Sequence, residues 1–280
     1  MPTKKYNLFY KFKLWFWYKT KVKKTLNIKI IKSNNKNSPQ VVLLHGIASN
    51  MLVWNDVVSN LKGKYNIVLI DLLGFGKSPK PDDIAYNADQ HAYLVYYSLK
   101  KARAYKPSVF IGHSMGAIIA TRFAVSYPKN VTKLELCSLP IYRRSELTDK
   151  KLFAWQRETD NLYFRLYGLL RHKKDFSIKT AQVLRKMGMR QVELNEQSWL
   201  AFRNSLQNTI ENQNVEVDIR KIKVPIRIIY GKFDFLLISK HLKSLAKYSN
   251  VFVTQVNAHH DITKRFAKEI VTDLERTTKN

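Results

Sequence analysis

The sequence predicts an α/β protein, a mainly parallel sheet with helices on both faces, and three observations predict it. From residue 25 onward short apolar runs alternate with helix-length segments, and strands separated by helices need the crossover connections of a parallel sheet. A helix-rich stretch, 140–217, interrupts that rhythm once, before it resumes at PIRIIYGKFD. The run Ser108–Ile111 ends in GHSMG and is followed at once by a helix-forming run.

Residues 1–24 form a basic aromatic segment with eight lysines and eight aromatics, and no acidic residue occurs before Asp56. Its longest apolar run, Leu14 to Tyr18, is too short for a signal-peptide core or a membrane span. Leu8, Phe9, Phe12, Trp15 and Phe16 fall at helical spacing, while Tyr10, Phe12, Leu14 and Phe16 alternate with Lys11 and Lys13 at strand spacing. Periodicity leaves both elements open. Packing against the domain is the preferred reading, with an interfacial membrane contact through residues 4–24 as the alternative.

The elements that follow read in order. Thr25–Lys32 alternates as a strand and SNNKNSP is a turn. Gln40–Leu44 is a short buried strand, Trp54–Leu61 a helix, Tyr65–Asp71 a second buried strand, and His91–Ala104 a helix. Ser108–Ile111 is a strand, Ala117–Ser126 a helix, Lys133–Leu139 a strand, and Ile226–Tyr230 and Val251–Val256 two more strands. The domain organisation expected is 1–24 as the tail, 25–139 with 218–280 as the core, and 140–217 as a helical insertion over the carboxyl edge of the sheet, where open α/β sheets place ligands.

The 280 residues suffice for one such domain plus the insertion, and 45% hydrophobic residues can fill its core. A single cysteine, Cys137, excludes an internal disulfide and fits a reducing cytoplasm. The net charge of +28 draws anionic partners, but lysine and asparagine are abundant throughout, so compositional bias is preferred over a dedicated polyanion site. No nucleic-acid recognition motif is visible, and GFG at 74–76 lacks the third glycine of a dinucleotide fingerprint.

GHSMG matches G-x-S-x-G between strand and helix, the context that makes a common pentapeptide a nucleophile elbow. Gly112 and Gly116 keep side chains out of the space where strand and helix approach. A serine hydroxyl needs a base, itself oriented by a carboxylate. Asp234 follows one late strand, in YGKFD, and His259-His260 follow the next, which is the chain order Ser, Asp, His. VVLLHG ends a strand at His45-Gly46, so the Ile47 N–H can join that of Met115 in binding an oxyanion. His45 is expected to brace this loop, Asp71, which ends a strand, to have a structural role, and His113 to pack under the turn. His172 and His241 lack a partner pattern. One cysteine and no H-E-x-x-H spacing leave no expected metal site.

With these residues the chain resembles the α/β-hydrolase superfamily over about residues 25–275. LLHGIASN is similar to its oxyanion loop, DLLGFGKSPKP to the segment after its next strand, GHSMG to its elbow, and PIRIIYGKFD to the strand and turn that carry its acid. The resemblance implies a sheet of about eight strands, with 140–217 as a cap or lid. It puts the nucleophile on Ser114, the acid on Asp234, the base on His260 and the oxyanion amides on Ile47 and Met115. The family's usual glycine before the base is His259 here, which leaves His259 as the alternative base.

The implied activity is acyl transfer by a serine hydrolase, with carboxylic esters as substrates and no cofactor. A C–C bond (diketone) hydrolase is the alternative. A serine at position 114 disfavours haloalkane dehalogenase and epoxide hydrolase, which the resemblance would give an aspartate there. A non-catalytic, membrane-surface or polyanion-binding member of the fold is the competing class. Trp155, Tyr163, Phe164, Tyr167 and Trp199 read as core of the insertion before they read as walls of an acyl pocket.

Overall fold

The computed structural model describes residues 8–143, 154–186 and 192–277. Residues 4–7 of the basic tail and 144–153 and 187–191 of the insertion lie outside the described residues. Seven strands form one sheet: β1 (Ile28–Ile31), β2 (Gln40–Leu44), β3 (Asn66–Ile70), β4 (Ser108–His113), β5 (Val131–Cys137), β6 (Ile226–Gly231) and β7 (Val251–Val256). Their order is β1-β3-β2-β4-β5-β6-β7. Only β1 is antiparallel to its neighbour; every other pair is parallel. These are the seven strands that the apolar runs name. The expected number was about eight; seven form among the described residues, and the described chain from Leu8 to Val22, ahead of β1, is helical.

That leading helix is α1 (Leu8–Trp17), extended by a π-helical turn at Tyr18–Val22. Leu14, Tyr18 and Val22 are buried in the same core as the sheet and its helices. Helices α2 (Asn55–Leu61), α3 (Ala88–Lys101) and α4 (Met115–Ser126) are the early crossovers. Helix α3 begins three residues before the expected start, because Asn87 and Gln90 form a reciprocal capping box that supplies the first turn with partners.

Between β5 and β6 the chain inserts α5 (Ala154–His172), α6 (Lys174–Lys186), α7 (Trp199–Ser205) and α8 (Val215–Ile219). These segments meet loops at the carboxyl ends of several strands. The Glu193 N–H donates to the Ala48 carbonyl after β2, Asn204 and Thr209 bond the carbonyls of Ile84 and Tyr86 after β3, and Tyr142 Oη bonds Leu236 after β6. Trp199 and Tyr167 are buried and Phe164 packs against the core; the side chain of Trp155 lies outside the described residues. The chain closes with α9 (Ser239–Lys243) and α10 (Lys264–Thr277).

Beneath the opposite face, β5 carries Lys133 and Glu135 against α10. Lys133 pairs with Glu135 (3.3 Å) and Asp273, and Arg227 with Asp273 and Glu269. Burial pushes the fully buried Glu135 carboxyl up to about 8, Lys133 opposing and Asp273 adding to the shift. The folded state therefore holds a proton that the unfolded chain releases near the ordinary glutamate value. The resulting stabilisation is complete below that value and is lost as pH rises through about 8. Glu135→Gln should keep the neutral form at every pH, so its stability advantage over wild type in urea unfolding should grow from pH 5 to pH 8. A constant difference would place the ionisation elsewhere.

Candidate active site

The sheet order creates the site. The chain leaves β2 for β3 on one side and then crosses back to β4 on the other, so the loops after β2 and β4 emerge side by side at the carboxyl edge, where open α/β sheets place ligands. Leu44 pairs with Gly112, which brings His45-Gly46-Ile47 beside the end of β4. A Cβ built on Gly46 would lie 3.2 Å from Ser114 Cβ and 3.2 Å from His113 Nδ1.

Ser114 sits between β4 and α4 at φ 53° and ψ −119°. A non-glycine residue in this region carries strain of about 1–3 kcal/mol that the surroundings must hold. They do so through tight packing. A Cβ on Gly112 would lie 2.4 Å from the Gly116 carbonyl oxygen, and one on Gly116 would lie 2.2 Å from the Leu44 oxygen and 2.5 Å from that of His45. The Ser114 N–H also donates to the Cys137 carbonyl at 2.9 Å. Met115 is the first residue of α4, so its N–H has no carbonyl partner within the helix and lies at the positive end of its dipole. Ile47 is half-buried in the loop after β2.

Asp234 follows β6 and His260 follows β7. His260 Nδ1 lies 3.0 Å and 2.9 Å from the two carboxylate oxygens of Asp234, and the Leu236 N–H also donates to that carboxylate at 3.1 Å. The carboxylate is fully enclosed while the imidazole is 20% exposed. A carboxylate facing Nδ1 holds the proton there and leaves Nε2 as the basic nitrogen. His259 is exposed, with Nδ1 3.3 Å from the Phe233 carbonyl. Of the two adjacent histidines, Asp234 therefore meets His260.

The His260 loop is tied back to the elbow. His113 Nε2–H donates to the His260 carbonyl at 2.8 Å, across 147 residues of sequence, and Ser138 Oγ donates to the same oxygen at 3.2 Å. The rings of His113 and His260 are 5.0 Å apart. Burial, with the nearby His260 adding, drives the His113 pKa down to about 3, so it stays a neutral donor. Packing under the turn, the role expected of His113, is therefore only part of what it does. Its bond to the base-bearing loop carries no local signal, since the partner is a backbone carbonyl.

His45 braces its loop as expected. The Leu72 N–H donates to Nε2 at 2.9 Å, so the ring proton is on Nδ1, which donates to the Gly46 carbonyl at 2.7 Å. Burial lowers the His45 pKa. Asp71 is a loop cap, accepting from the Met51 and Lys77 N–H groups and from Asn27 Nδ2. His241 Nδ1 donates to the Ile141 carbonyl at 2.9 Å, and His172 is exposed. Tyr142 and Tyr163 bond the carbonyls of Leu236 and Phe235, immediately after Asp234. This clasp joins the insertion to the acid's loop, a role distinct from the core and pocket-wall roles considered for Tyr163. Among the described residues no group of three or more His, Cys, Asp or Glu side chains could hold a metal ion.

Comparison with known proteins places this geometry in context. The family model for the alpha/beta hydrolase fold matches residues 39–262. A pimeloyl-[acyl-carrier protein] methyl ester esterase of Wigglesworthia glossinidia brevipalpis is 25% identical over 79% of this chain and 84% of that protein. "Probable lysophospholipase BODYGUARD 2" of Arabidopsis thaliana is 32% identical over 40% of this chain, but the matched part spans only 25% of its own length. Among solved structures, a thermophilic esterase of Thermogutta terrifontis superposes with a TM-score of 0.69, covering 91% of this chain and 93% of that one at 16% identity. At that identity the likeness speaks for the fold.

Proposed function

This chain belongs to the alpha/beta hydrolase fold family, and on that premise we propose that it is a serine hydrolase that cleaves carboxylic esters through an acyl-enzyme. The observation that carries the reading is the Asp234–His260 pair, held by the His113 bond to the elbow that presents Ser114. The esterase name of a relative matched over most of both chains supports an ester as the substrate class.

In the proposed mechanism His260 Nε2 takes the Ser114 hydroxyl proton as Oγ attacks the ester carbonyl carbon. The Ile47 and Met115 N–H groups stabilise the oxyanion. Collapse of the tetrahedral intermediate breaks the bond to the alcohol oxygen, which leaves with the proton from His260. Water, deprotonated by the same imidazole, then releases the carboxylic acid and restores Ser114. Asp234 stays ionised and holds the imidazole in its Nδ1–H tautomer. The steps draw on no metal or cofactor.

The insertion 140–217 acts in this reading as a cap that shapes the acyl pocket, and the buried lone thiol of Cys137 suits a reducing, cytoplasmic setting. A fluorophosphonate probe should label the wild-type protein covalently, and Ser114→Ala should remove the label. Folded wild-type protein that stays unlabelled would overturn the reading in favour of a non-catalytic binding protein, and a variant that labels equally well would take the nucleophile away from Ser114. A panel of p-nitrophenyl esters beside a vinylogous diketone separates ester hydrolysis from C–C bond cleavage.

A further inference from the structure

We propose that helix α1 is an interfacial anchor that lays an aromatic face into the surface of an anionic lipid bilayer. This does not rest on the catalytic reading, since no residue involved belongs to the candidate active site.

At about 100° per residue, α1 has two opposed apolar faces. One packs on the body. Leu14 is buried, as are Tyr18 and Val22 in the π-helical turn that continues the helix, Tyr10 Oη donates to Asp89 at 2.5 Å, and the Tyr18 ring lies 4.2 Å from that of Tyr97. The other face carries Phe9, Phe12, Trp15 and Phe16, exposed by 64%, 56%, 43% and 57%. On the helical wheel these four fall within a sector of about 120°. Scattered exposed aromatics are ordinary, but four on one face of a ten-residue helix form a contiguous apolar patch of the kind that marks an interaction surface. The two faces also explain why spacing alone could not name the element: apolar residues surround most of the helix.

Charge identifies the occupant. Lys11, Lys13 and Lys19 are exposed beside the aromatic sector, and Lys13 Nζ lies 4.6 Å above the Phe9 ring. The chain has no acidic residue before Asp56 and a net charge of +28. An apolar stripe bordered by exposed lysines fits a headgroup region with phosphate charges above hydrocarbon, because a lysine stem can lie along apolar surface while its ammonium group meets the phosphates. A second copy of the chain would bring lysines against lysines. Helix α1, at about 15 Å, is half the roughly 30 Å needed to span a bilayer, so it lies in the interface plane. No described helix is long and apolar enough to cross a membrane.

The attachment is directional. Tyr10 and the Lys21–Asp83 pair fasten this segment to the first turn of α3 and to the loop before it. In a parallel sheet that end of α3 lies at the carboxyl edge, the same edge that carries Ser114. The anchor thus starts at the edge of the sheet that carries the candidate active site.

Cosedimentation of the full chain with phosphatidylcholine vesicles, with and without phosphatidylglycerol, tests the proposal. Wild type should bind the anionic vesicles, weaken as salt is added, and bind the neutral ones poorly. The Phe12→Ser/Trp15→Ser/Phe16→Ser variant, altered only at exposed positions, should keep its circular dichroism spectrum and lose about tenfold or more in vesicle affinity. Equal binding by wild type and variant would assign the effect to net charge alone and overturn the proposal. So would an absence of wild-type binding, a wild-type dimer that the variant dissociates, or single-stranded oligonucleotide binding in place of vesicle binding. Fluorophosphonate labelling in vesicle-free buffer should be equal for both proteins, which separates this outcome from that of the catalytic test.

Discussion

His260→Ala is expected to lower kcat for ester hydrolysis by about 10⁴- to 10⁶-fold, while His259→Ala stays within about threefold of wild type. The contrast rests on geometry. His260 meets both oxygens of an enclosed Asp234 carboxylate, whereas exposed His259 reaches only the Phe233 carbonyl. In the proposed mechanism, losing the base leaves a serine hydroxyl with nothing to accept its proton, and only oxyanion binding and positioning remain. Asp234→Asn should fall by about 10⁴-fold with the fold intact, because an amide can donate to the ring and favour the wrong tautomer. Steady-state kinetics on a p-nitrophenyl ester would measure all three. A large loss in His259→Ala together with a small one in His260→Ala would exchange the two assignments.

The second large effect is on stability. Gly116→Ala should destabilise the protein by about 3 kcal/mol or more in urea unfolding, because its Cβ would meet two backbone oxygens that no side-chain rotation can move. Gly63 provides the control. Its φ is +85° with nothing within 4 Å of a built Cβ, so Gly63→Ala should cost only the left-handed conformational penalty, about 1 kcal/mol. Similar losses at both sites would mean that the contact between β2 and α4 can relax. The steric origin also predicts where Gly116→Ala acts: the displaced atoms are the Leu44 and His45 carbonyls, the entrance to the loop that carries Ile47. Residual fluorophosphonate labelling should therefore fall even in conditions where the variant is fully folded.

Much of this was legible in the chain itself. Gln40–Leu44 and Val251–Val256 are strands with the bounds that the sequence predicts; the first is buried on both faces, as a central parallel strand requires, while the second is the half-exposed edge strand. The demand for glycine at 112 is local, since the atoms that crowd it are those of residues 116 and 117, whereas Gly116 is crowded by the distant Leu44 and His45 carbonyls and was legible only through the G-x-S-x-G pattern. The start of α3 was missed by reading apolar residues alone, although its Asn87–Gln90 capping box was there to be read.

What the sequence by itself determined was the set of seven strands and the need for glycine at 112, which follow from burial and local sterics, and the order of Ser114, Asp234 and His260 along the chain, which is read directly. The tertiary structure alone decided that β2 stands between β3 and β4 and so sets Gly46 against Ser114, that Asp234 meets His260, and that His113 holds a carbonyl 147 residues away. It also decided which aromatic face of α1 is buried and which is left outside. These are contacts between segments distant in sequence, where partner choice depends on how the whole sheet pairs and not on the residue types at either end.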